Sequence, residues 1–272
     1  MIEDRFGLST RVFTGERLDR SHIDQAAGNG FSALELVADR THFDYSDASS
    51  AAGLATWLPS AGVTLHAVYV PDASGVAAAD SAARVKAVDD VRRALEIAAY
   101  LPFRFLVLAL GGSDTAPAAE AQPAAARRSL EEIVEAASSA GVSVAVEVQP
   151  HALARPAALV KMIEEELEEC DLGICLDYGR AHRMGDLADA IEEVSGYLLT
   201  THVHDTRGPN HHLVPYAGTI DWDAAMMETQ KIGYDGRLIL DVAADGDTAV
   251  TLARCAAARD RLRQAFVWPE VI

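Results

Sequence analysis

The chain has 272 residues, with 41 acidic against 23 basic side chains and a formal net charge of -18. Half of it is hydrophobic, which supplies one substantial core and argues against a disordered chain. So negative a chain argues against binding nucleic acid or docking on an anionic membrane, since both recruit Lys and Arg.

Cys170, Cys175 and Cys255 form no CxxC pair and leave an odd count, which points to buried thiols in a reducing compartment. The opening MIEDRFGLST carries two acids and no apolar stretch, so no signal peptide is expected. The apolar runs are broken well short of a bilayer span. The expected location is the cytoplasm, and a homo-oligomer stays open.

In chain order, short β-type runs alternate with helical stretches. A strand over Arg5–Ser9 precedes a helix over Asp19–Ala27, and Ala33–Val37 precedes Ala48–Leu58, which should stop at Pro59. Thr64–Val70 leads to the amphipathic Ser81–Ala99, and Phe105–Ala109 to Ala124–Ala140, ended by Gly141. Ser143–Val148 is followed by Pro156–Glu168, with Pro in the first turn. Gly173–Asp177, Leu199–His204 and Leu238–Val242 alternate with Leu187–Val194, Trp222–Ile232 and Thr248–Phe266.

Several strands read as continuous apolar runs (FLVLAL, VSVAVEV, LILDVA), the habit of parallel strands covered on both faces. Eight such units over about 250 residues predict an α/β fold, a single-domain (β/α)8 TIM barrel over 1–272, rather than a doubly wound open sheet. The long loops Pro71–Asp80, Gly111–Pro123 and Asp205–Thr219 follow strands, so they should line the active-site face.

Polar residues at the C-terminal strand ends are the catalytic candidates: Glu35, His66, Glu147, Asp177, His202 or His204, and Asp241. A charge inside a buried run is costly unless paired or bound to metal. Each has a plain alternative: an ion pair for Glu147 or Asp241, a turn cap for Asp177, a core histidine for His202, the pocket rim for Glu35 and His66. Glu147, Asp177, His202 and Asp241 fall on four consecutive strands about 4.8 Å apart, close enough to converge on one ion. Three carboxylates and one imidazole suit Mn²⁺, Mg²⁺ or Co²⁺ better than a structural Zn²⁺. His202 is expected to face this site and His204 to point elsewhere.

This ordered set resembles the xylose isomerase-like TIM-barrel superfamily of sugar-phosphate isomerases and epimerases, which also holds endonuclease IV. The resemblance spans nearly the whole chain. It rests on Glu147 in VEVQP, Asp177 in DYGRAH, His202 in HVHD, the loop NHHLVPYAGTIDW with His212, Gly218 and Trp222, and Asp241 in GYDGRLILD. Glu35 and His66 match the second- and third-strand positions. Asp241 stands where relatives have Glu, and Arg180 where many have a substrate-contacting His. The usual Gly-x-Gly of the seventh loop is reduced to Tyr216-Ala217-Gly218. The short fourth strand end lacks the extra His of the DNA-repair branch.

The resemblance implies a metal-dependent isomerase or epimerase of a small sugar, sugar phosphate or sugar acid, working through an enediolate. Glu147 would be the base and Asp241 the opposing acid or base, while Glu35, His66, His182 and His212 would bind substrate. Arg180 and Arg207 should lie near the pocket mouth and read an anionic group; the competing reading pairs Arg180 with Asp186. Two rivals remain: a dehydratase of a cyclic polyol or dehydroshikimate-like acid, and a noncatalytic sugar-binding barrel.

Overall fold

Eight parallel strands close on themselves in the computed structural model, which describes residues 5–113, 116–117, 122–168 and 170–265. They are β1 (Phe6–Ser9), β2 (Ala33–Val37), β3 (Thr64–Val70), β4 (Phe105–Leu108), β5 (Ser143–Glu147), β6 (Leu172–Asp177), β7 (Leu198–Val203) and β8 (Leu238–Leu240). Closure comes where β1 pairs with both β8 and β2, in the registers Phe6–Leu238 and Leu8–Leu34. The expected barrel is therefore present, with every strand at its anticipated place.

The helices are α1 (Arg20–Gly28), α2 (Ala48–Ser60), α3 (Ser81–Leu95), α4 (Pro123–Ser139), α5 (Pro156–Glu166), α6 (Tyr178–Met184), α7 (Leu187–Glu193), α8 (Trp222–Lys231) and α9 (Thr248–Ala265). Asp19 begins α1 with a capping box, accepting from the Ser21 and His22 N–H groups while the His22 ring accepts from the Asp19 N–H. Pro59 sits inside the last turn of α2 rather than ending it. The stretch expected as one helix to Ala99 tightens into a 3₁₀ turn over Glu96–Ala99.

Two features were not anticipated. The short α6 starts directly at Asp177, and the loop after β7 folds into a hairpin of Asp205–Arg207 and Asn210–Leu213. Of the expected loop Gly111–Pro123, residues 114–115 and 118–121 lie outside the described residues, as do Phe266 and the opening residues 1–4. No helix among the described residues is long and apolar enough to cross a membrane.

The main core fills the space between strands and helices, and a smaller cluster fills the barrel: Val37, Ala67, Tyr69, Phe105, Val107, Ala109, Ala145 and Cys175. The barrel is thus plugged by side chains, not open as a pore. Because strand side chains alternate, the positions that put Ala67, Ala145 and Cys175 inside also aim Tyr69, Glu147 and Asp177 inward two residues later. Burial pushes the Cys175 thiol up to about 12, so it packs as an inert group.

Candidate active site at the C-terminal mouth

Glu147 and Asp177 are the last residues of β5 and β6, His202 is the penultimate residue of β7, and Asp241 follows β8 directly. All four side chains are fully buried, as is Glu35 from β2. One ligand atom each from Glu147, Asp177 and His202 lies within 4.8 Å of the others, and Asp241 is not in that group. Its Oδ2 sits 4.0 Å from His202 Nδ1, buried and without a hydrogen-bond partner.

Burying so many carboxylates costs several kcal/mol each unless cations answer them. Two arginines do. Arg180 lies 3.0 Å from Asp177 Oδ2 and 3.8 Å from Glu147 Oε2 through Nε. Arg11, in the 3₁₀ turn Thr10–Phe13 after β1, places Nε 2.7 Å from Asp241 Oδ1. Burial works against charge on Asp241, but Arg11, then His212 and His202, hold it well below the usual carboxylate range. Asp177 is likewise held well below it, burial being outweighed by His204 and Arg180.

His202 is bonded on both sides. Its Nε2–H donates to Glu35 Oε2 at 3.0 Å, and Nδ1 lies 2.7 Å from Glu147 Oε1. The Tyr69 hydroxyl donates to Glu147 Oε2 at 3.1 Å, and the Tyr69 ring meets His202 edge-on. Glu35 therefore stands behind His202 and does not sit at the pocket rim to orient substrate. Burial raises its carboxyl above the usual range, with His202 opposing.

His204 does not point elsewhere, as the sequence had suggested. Its Nε2 lies 2.9 Å from Asp177 Oδ1, and its ring packs against His212 at a tilt of 38° with centroids 4.2 Å apart. Room for that ring exists because residue 179 is glycine; a Cβ there would run into it. His212 joins the same cluster, with Nδ1 3.2 Å from Asp241 Oδ2 and a backbone N–H donating to His204 Nδ1.

His66 is a correction. It is the third residue of β3, near the N-terminal end, and its backbone carbonyl accepts from Arg104. Its ring faces Thr200 Oγ1 at 3.1 Å and lines a cavity of about 850 Å³ with Arg104 and Arg237, at the opposite mouth of the barrel. The inward position nearer the active end of β3 belongs to Tyr69. His182 is also apart from the cluster, half-buried on α6 with Nε2 3.1 Å from Thr219 Oγ1.

Arg180 pairs inward and not with Asp186, which instead caps α7 by accepting from Ala188 and Asp189. Arg207 is exposed and donates through Nη2 to the Ala217 carbonyl at 2.6 Å. Sequence reasoning missed Arg11 and Tyr69. Arg11 lies two residues past a strand end and could have been found there; Tyr69 was hidden inside the apolar run LHAVYV.

The loop after β7 is tied to the fully buried Asp205. Its carboxylate accepts from the Thr206 N–H (2.8 Å), the Ile220 N–H (3.2 Å) and the Trp222 indole N–H (3.0 Å). Gly218 packs its backbone directly on that carboxylate, where a Cβ would collide. Within this loop His212 and Tyr216 adopt positive φ, 55° and 69°, which non-glycine residues adopt only when their surroundings hold them there.

The donor set fits a hard divalent cation: carboxylate oxygens, one imidazole whose far nitrogen is anchored by a carboxylate, and an unpartnered acceptor on Asp241. Solved structures share the fold. A D-tagatose 3-epimerase-like protein matches with a TM-score of 0.78 at 23% identity over 96% of each chain. D-psicose 3-epimerase from Clostridium cellulolyticum H10, solved with D-tagatose, matches at 0.75 and 18%, over 96% of this chain and 99% of that one. An IolI protein with a bound zinc atom matches at 0.76 and 15%, over 96% and 98%. No curated protein matches by sequence. The family model described as xylose isomerase-like TIM barrel matches residues 23–265. The chain belongs to the xylose isomerase-like TIM-barrel family.

Proposed function

We propose that the protein is a metal-dependent isomerase or epimerase of a small sugar, moving a proton on the carbon next to a carbonyl. The observation that carries this reading is the buried Glu147–Asp177–His202 group at the C-terminal strand ends, with Glu35 anchoring His202 from behind. The likeness to sugar epimerases and to a zinc-bound barrel supports it.

Glu147, Asp177, His202 and Oδ2 of Asp241 would hold the ion, with Mn²⁺, Mg²⁺ or Co²⁺ preferred by the oxygen-rich set and Zn²⁺ tolerated. The ion supplies Lewis-acid stabilisation of the negative charge that develops on the substrate oxygens. Glu147 is the proton-transfer residue, its Oε2 steadied by the Tyr69 hydroxyl. Asp241 is one methylene shorter than the family's glutamate and clamped by Arg11, so it serves as a ligand and is the weaker proton carrier. Arg180 and His204 fix the Asp177 carboxylate in its inward rotamer.

The test is exchange. Purified protein supplied with Mn²⁺ should wash deuterium from D₂O into the carbon next to the carbonyl of a substrate sugar, followed by NMR. Chelation should abolish the exchange. Metal-independent exchange, or none across neutral sugars, sugar acids and sugar phosphates, overturns the reading.

A further inference from the structure

Arg11 is only partly used by the contacts described above. Its Nε grips Asp241, and its guanidinium lies over the Tyr69 ring, 5.5 Å from the centroid. Among the described residues its two terminal nitrogens, with four N–H donors between them, have no hydrogen-bond partner. The side chain keeps 16% of its surface exposed, and it lines a cavity of about 350 Å³ between the turn after β1, α1 and the segment joining β8 to α9.

Polar groups line that cavity beside Val12, Phe13, Ala243 and Ala244. Gln25 and Thr248 line it, and neither side chain makes a hydrogen bond among the described residues. The one acid on its wall, Glu16, lies 3.5 Å from His22 Nε2. Arg180 is engaged with Asp177, and Arg207 with a loop carbonyl, so Arg11 is the guanidinium placed to meet a ligand.

We propose that this cavity is the subsite for an oxyanion on the substrate, a carboxylate or a phosphate, and that the terminal nitrogens of Arg11 bind it. A guanidinium presents parallel donors that match two oxygens of such a group, and its planar fork is already fixed by Asp241 and Tyr69. Because the same side chain touches Asp241, the anionic end and the reacting end of one small sugar would be bridged by a single residue. The inference rests on the sugar-isomerase reading and narrows it from sugars in general to sugar acids or sugar phosphates.

Calorimetric titration of the Mn²⁺-supplied protein tests it with three ligands: D-psicose as a neutral ketose, D-glucuronate, and D-ribulose 5-phosphate. At least one anion should bind about tenfold or more tightly than D-psicose, the worth of a charge-assisted hydrogen bond. Which anion gains tells carboxylate from phosphate. Arg11→Gln should erase the preference and Arg11→Lys keep part of it. Gln25→Glu, an exposed change that leaves the Arg11–Asp241 pair intact, should weaken the anion several-fold through like-charge repulsion. Equal affinities for all three, no measurable binding of either anion, or an undiminished preference in both Arg11→Gln and Gln25→Glu overturns the proposal. Failure of the isomerase reading looks different: the anion preference persists in binding while no sugar exchanges deuterium.

Discussion

Glu35 and His202, 167 residues apart in sequence, are joined across the barrel by a 3.0 Å hydrogen bond that fixes which imidazole nitrogen is left to face Glu147. Such a carboxylate behind a ligating histidine sets the ring's orientation and raises its basicity. Glu35→Gln keeps an acceptor but removes the charge. Mn²⁺ affinity, followed by electron paramagnetic resonance titration, should fall by about tenfold, the lower end for an outer-shell partner. An unchanged affinity would reduce Glu35 to a packing role.

Glu147→Gln preserves volume and hydrogen-bonding reach beside Tyr69 and His202. Deuterium exchange should drop by at least ~10²-fold, the lower range for loss of a general base. The circular dichroism spectrum should match wild type. Near-normal exchange in a folded variant would take Glu147 out of the proton-transfer role.

His66 makes acid stability readable. Burial, with Arg237 and Arg104 nearby, pushes its ring down from 6.5 to about 3 in the folded chain. Between those values the unfolded state binds a proton that the folded state does not. The contribution is therefore complete above pH 6.5 and is lost as pH falls towards 3. Urea unfolding at pH 7 and pH 5 should show His66→Gln losing about 2 kcal/mol less than wild type over that step. Parallel losses in the two proteins would mean the ring titrates normally.

Gly179→Ala tests the packing beneath the site. The added methyl meets the His204 ring, and the ring cannot retreat without leaving Asp177. Overpacking of this kind costs about 1–3 kcal/mol. Thermal melting should register the loss, and Mn²⁺ titration should weaken with it. A variant as stable as wild type would show that His204 has another place to go.

The barrel was legible because each strand is a short apolar run and each helix a charged, periodic one, and these local preferences agree with the closed parallel sheet. Inward-facing acids were legible for the same reason: Glu147 and Asp177 break runs that are otherwise apolar. Depth was not legible. His66 lies in its strand much as Glu35 does in its own, yet the stagger of neighbouring strands, with a register shift after Leu34, carries it to the far mouth while Tyr69 reaches the active one. Pairing was not legible either. Arg180 could have reached Asp186 or Asp177, and the choice fell to α6 starting on the spot and turning the side chain back over the mouth. The role of Arg11 depends on β1 lying beside β8, a contact between the two ends of the chain.

Asp205 settles how this site exchanges its contents with solvent. A loop whose two ends both hang on one buried carboxylate, and whose glycine leaves no slack above it, is a wall and not a door. The amides of Thr206 and Ile220 should be among the slowest in the protein to exchange, closing and opening only with the barrel itself. For the isomerase proposed above, a swing of the seventh loop would then not set the rate of turnover.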